Sequence, residues 1–148
     1  MTDLELWRKY LALLESLGGT LEELTGLEQA KTQAVSKGDL PAVEDTMKRE
    51  QVISLSLRGL DQKREKLLAA LGLTGVPLRD LAERAPESVR MEAKAAAEKL
   101  RQKYEVFQSA SDVARNTLEC NLHAIEKLQK AHEVQPEERS LRQSDFRA

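Results

Sequence analysis

Residues 86–133, PESVRMEAKAAAEKLRQKYEVFQSASDVARNTLECNLHAIEKLQKAHE, hold one proline, at the first position, and no glycine. Ala93, Ala96, Leu100, Tyr104, Phe107, Ser111, Ala114, Leu118, Asn121, Ile125, Leu128 and His132 follow one another at steps of three and four, which keeps them on one stripe of a helix. From Leu100 onward the spacing is close to a seven-residue repeat, slipped by one step at Tyr104, and that period predicts coiled-coil-like packing with a left-handed supercoil. Pro86 suits the opening turn, where a missing N–H goes unused. A helix of this length runs about 70 Å at 1.5 Å per residue. It starts small and polar around Ala93–Ala97 and widens into an apolar face at Val113, Leu118, Leu122, Ile125 and Leu128.

Upstream, Leu4, Trp7, Leu11, Leu14, Leu17, Leu21, Leu24 and Leu27 form a helical stripe that ends at Gly38, a residue that tolerates the left-handed conformation closing a helix. Asp39 is placed to cap the next helix, with Leu40 and Pro41 in its first turn. A joint this short permits only an antiparallel return. The second stripe, Leu40, Val43, Met47, Ile53, Leu57, Leu60, Leu67, Leu68 and Leu71, ends at Gly72 and is interrupted by Lys48–Gln51. Folding the hairpin at Lys37–Gly38 sets Gly18 and Gly19 opposite Ser56–Gly59, either as a close approach of two backbones or as a weak point on each helix. Leu78–Arg84 predicts a short helix within the connection. The expected fold is all-α: an elongated antiparallel helical hairpin plus a long third helix, a three-helix coiled-coil-like bundle. Helices are expected near 2–37, 39–71, 78–84 and 86–133, making one domain over 1–133. Val134–Ala148, aperiodic and proline-containing, is expected to be a mobile tail.

The composition agrees. Of 148 residues, 32% are charged and 3% aromatic, with 7 glycines and 4 prolines, which disfavours loop-rich β folds and compact α/β domains. A formal charge of −2 offers no general basic field for nucleic acid. No apolar run reaches bilayer length. Asp3 and Glu5 stand where a targeting peptide would carry basic residues, and Cys120 is a lone cysteine, so a cytosolic, cytoplasmic setting is expected.

No phosphate-cradling, nucleophile-elbow or zinc-protease motif occurs, so an enzyme is not expected. Glu119, Cys120, His123 and Glu126 share helical spacing, but one helix does not complete a tetrahedron, and the set reads as a surface cluster beside a half-buried thiol. No metal and no cofactor are expected. Asn121 within the stripe either fixes register or lies at an exposed end. Long helices without catalytic groups, one of them overlong, describe a protein that lends its stripe to another helix or closes a homodimer. Periodicity alone supports both.

Gly38-Asp39-Leu40-Pro41, Lys48, and Leu57 to Gly72 (LRGLDQKREKLLAALG), followed by a short helix and then by Asn116-Thr117-Leu118-Glu119-Cys120-Asn121-Leu122-His123-Ala124-Ile125, together resemble the FlgN-like flagellar export chaperones over residues 1–133. The resemblance implies a chaperone that binds the C-terminal helical region of flagellar hook-associated proteins, prevents their premature assembly and delivers them to the flagellar export gate. By position it assigns Asn116, Asn121, Leu122 and Ile125 to the client surface. Val113, Leu118 and Leu128 of the wider apolar face complete the candidate set. The family's tail is thought to touch the gate through an aromatic residue, and here the tail offers Phe146 and no tyrosine.

Overall fold

The structure, a computed structural model, describes the backbone of residues 2–131 and the side chains of residues 2–123. Helix α1 spans Asp3–Lys37, α2 Leu40–Ala70, α3 Leu78–Leu81, followed by a 3-10 turn at Ala82–Arg84, and α4 Glu87–Ala131. No strand occurs among the described residues. The expected tail at 134–148, with Phe146, lies outside them.

The first joint follows from local chemistry. Gly38 sits at φ 69°, its N–H donating to the Val35 carbonyl (3.1 Å) and that of Asp39 to Ala34 (2.9 Å). This closes the last turn of α1 as a left-handed glycine cap. Asp39 Oδ1 then accepts from the Ala42 N–H at 3.2 Å, capping α2. Gly72, at φ 72°, ends α2 in the same manner, with the Leu73 N–H donating to Leu68 at 2.8 Å.

The apolar core lies at one end of the molecule, where the start of α1, the end of α2, the connection and the start of α4 meet. Trp7, Tyr10, Leu14, Leu17, Leu68, Leu73, Leu81, Val89 and Ala93 form it. The Trp7 and Tyr10 rings meet edge to face, with centroids 5.6 Å apart. Burial pushes the Tyr10 phenol above its ordinary range, and the neighbouring Arg64 guanidinium acts in the opposite direction.

Above this base the helices form a layer rather than a closed bundle. Helix α1 packs against both α2 and α4, whereas there α2 and α4 do not pack on one another. Among the described residues the third interface of the expected bundle is confined to the base, where Leu68 of α2 shares the core with Val89 and Ala93 of α4. Being the middle helix, α1 is buried on two sides, which is why Tyr10 and Leu13 are covered as well as the single stripe read from the sequence. Helices α1 and α4 run parallel: Lys103 lies beside Gly18 and Glu22, and Val113 beside Gln33. Lys37 is thus level with about residues 117–122 of α4, so about 14–21 Å of its axis, up to Ala131, continues past the α1–α2 joint.

Four stripe assignments are corrected. Tyr104 is 54% exposed; its neighbour Lys103 faces α1 instead, its stem over Gly18 and its ammonium 2.8 Å from Glu22 Oε1. A long amphipathic stem covers α1 as an apolar side chain would, while its charge reaches solvent. Leu118, Leu40 and Met47 are likewise exposed. On α2 the inward line runs through Thr46 and Glu50, and a polar layer joins α2 to α1. There Lys31 Nζ stands 3.3 Å from Glu28 Oε1 and 3.1 Å from Glu50 Oε2.

Gly18 and Gly19 do not mark a close approach to α2. A Cβ at Gly18 would meet the Lys103 stem at 3.1 Å, and one at Gly19 would meet nothing within 4 Å. Gly19→Ala is therefore expected to raise stability by about 1 kcal/mol, the helix-interior penalty of glycine, measured by urea denaturation; a loss of stability would show that Gly19 has a packing role. In the polar layer, burial first and then Glu50 raise the Glu28 carboxyl above its ordinary range. A raised folded value contributes stability only below the unfolded carboxylate range and loses it as pH climbs through the raised value. Glu28→Gln is accordingly expected to melt higher than the parent chain at neutral pH, with the difference shrinking toward pH 4. A difference constant across pH would contradict this.

Candidate helix-binding groove

Above the base, α2 and α4 flank α1 without close backbone contact, and a groove of about 1200 Å³ lies between them. Leu17 and Leu21 of α1 form its floor, Leu57 and Leu68 one wall, Leu100, Tyr104 and Phe107 the other. The connection residues Val76 and Pro77 close the lower end. Two of the guanidinium groups on its rims are paired on their own helices, while Arg58 and Glu65, among the described residues, are not. Arg64 donates to Asp61 Oδ1 at 3.0 Å, and Arg101 is held by Glu98 and Glu105. The floor is covered, Leu17 and Leu21 being 6% exposed each, and the accessible apolar surface is that of the walls, chiefly Tyr104 with the half-buried Leu57 and Phe107.

The exposed apolar side chains extend this channel upward. At about 100° per residue, Met47 lies on the same face of α2 as Ser54 and Asp61 of the groove wall, and Leu118 and Leu122 continue the face of α4 that carries Tyr104. Met47 is 48% and Leu118 40% exposed, so both rails are greasy and uncovered.

The candidate residues do not converge on one surface. Leu118 and Leu122 belong to the groove side. Val113 is on the other flank of α4, with Val106 and Ser109, where a second cleft runs against Gln29, Thr32 and Gln33. Asn116 is exposed away from both, and Asn121 is half-buried, its Nδ2 donating to the Thr117 carbonyl at 2.9 Å. The side chains of Ile125 and Leu128 lie outside the described residues. Sequence reasoning missed Leu57, Tyr104 and Phe107 as a wall, because periodicity assigns them to the molecule's own interior. The thiol expected to be half-buried, Cys120, is exposed. Among the described residues no cluster of His, Cys, Asp and Glu is placed to hold a metal ion, and no described helix is long and apolar enough to cross a membrane.

Fold and groove together define, among the described residues, an all-helical protein with a largely apolar groove between α2 and α4. Compared with known protein families, residues 7–145 match the family described as FlgN protein. The chain belongs to the FlgN family, a chaperone family of the bacterial flagellum. No curated protein and no solved structure matches it.

Proposed function

We propose that this chain is a cytoplasmic flagellar export chaperone that takes a C-terminal helix of a hook-associated protein into the groove between α2 and α4, keeps it from assembling early and presents it to the export gate. The observation that carries this reading is the groove between α2 and α4, whose apolar walls Leu57, Tyr104 and Phe107 are only partly covered. Amphipathic helices are recognised by burying an apolar face in such a groove. Leu118 and Leu122 prolong the channel along α4, while Val113, Asn116, Asn121, Ile125 and Leu128 lie on the helix that frames it. Delivery requires release, so a moderate affinity suits the role, and the buried area does not itself fix it. Titrating a fluorescent peptide of a hook-associated protein's C-terminal helix against the full chain is expected to give saturable one-to-one binding, and absence of binding would refute the reading. A second reading, a structural homodimer through α4, draws on exposed Val106 and Val113; sedimentation equilibrium without client would then show a tight dimer.

A further inference from the structure

The outer face of α2, turned away from α1, carries Lys48, Val52, Leu55, Lys63 and Lys66, all exposed, with Arg58 at its groove edge. At about 100° per residue these five fall within an arc of about 80°. Val52 and Leu55 are 66% and 65% exposed, so the fold makes little use of either. Nearby carboxylates are engaged elsewhere: Asp45 pairs with Arg49, Glu50 turns inward to Lys31 and Asp61 pairs with Arg64. Glu44 stands one turn before Lys48, and Glu65 lies on the groove side. Among the described residues none of Lys48, Arg58, Lys63 and Lys66 forms an ion pair. Exposed Asp45, paired with Arg49, shares the Lys63 line of this arc, so the face is cationic chiefly at its Lys63 and Lys66 end, a local feature on a chain of net charge −2.

We propose that this face of α2 docks an acidic helical segment of a partner protein, one with a pair of apolar side chains about a turn apart set between carboxylates. The surface is distinct from the client groove, so both can be occupied together. Its pattern decides the class of partner. Val52 and Leu55 separate Lys48 from Lys63 by about 22 Å, so the cations do not follow the closely spaced phosphates of a nucleic acid strand. Two aliphatic side chains without an aromatic anchor give a bilayer interface little to hold. An acidic amphipathic helix matches both the apolar centre and the charged ends, and such complementarity sets encounter rate and partner choice.

The test uses the tagged full-length chain in its source cell. Carbodiimide, which joins amines directly to carboxylates, is applied before purification, and the linked peptides are sequenced. Lys48, Lys63 and Lys66 are expected to be joined to Asp or Glu flanking an apolar pair in one identified partner. That partner is expected to co-purify with a Lys48→Arg, Lys63→Arg, Lys66→Arg variant and to fall more than about tenfold with the corresponding Glu variant. Links spread equally over Lys9, Lys94 and Lys99, or full retention by the Glu variant, would overturn the proposal. So would binding of the purified chain to phosphatidylglycerol vesicles that the Glu variant abolishes, which would assign the face to membrane. The hook-associated client is expected to remain with the Glu variant, so its presence or absence reports separately on the proposed function.

Discussion

Replacing Trp7 by alanine is expected to lower the unfolding free energy by about 3–5 kcal/mol, read from urea denaturation followed by circular dichroism. Trp7 is 2% exposed and sits where α1, α2, the connection and α4 all converge. Its ring is supported edge-on by Tyr10, and among the described residues no other aromatic ring is paired with it. The effect is large because the apolar core is concentrated at this end. Farther along, α2 buries only Thr46 and is joined to α1 through Glu28, Lys31 and Glu50. Truncating an outward residue there, as in Val52→Ala, is expected to change stability by less than about 0.5 kcal/mol. A loss below about 1 kcal/mol for the Trp7 variant would mean that the base does not hold the helices together.

The second large effect concerns capture. Tyr104→Asp combined with Leu118→Asp is expected to weaken binding of the client helix at least about a hundredfold, the scale of losing two central apolar contacts. Both side chains are substantially exposed in the free protein, so the variant keeps its helicity and the loss reports on the surface rather than on folding. Val106→Asp with Val113→Asp, on the opposite flank of the same helix, is the matched control and is expected to bind as the parent does. The reverse pattern would move the client to the second cleft.

How far these features were legible in the sequence depends on whether a local or a tertiary cause produces them. The α1–α2 joint was legible because Gly38 and Asp39 act through their own backbone and side-chain bonds. Gly72 ends α2 for the same reason, and the unbroken run after Pro86 gave α4 its length. The groove was not legible. Periodicity assigns every apolar residue at helical spacing to an interior, so it cannot show that α2 and α4 stay apart above the base. Lys103 and Tyr104 illustrate the difficulty: adjacent on the helix, they differ by one step in register, and hydrophobicity favours Tyr104. Only the bare backbone of Gly18 opposite, with Glu22 one turn farther on, makes Lys103 the residue that faces α1. Glu50 likewise read as an interruption, because its partner Lys31 lies on the other helix.

Face-specific cross-linking tests the central claim most directly. In a Cys120→Ser background, single cysteines are placed at Ser54, in the groove wall on α2, at Ser111, two turns beyond Tyr104 on α4, and at Ser109, in the opposite cleft. A client helix bearing a short thiol-reactive arm is expected to couple to Ser54→Cys and Ser111→Cys and to leave Ser109→Cys unmodified. Coupling chiefly at Ser109→Cys, or at none of the three, would contradict a client seated between α2 and α4.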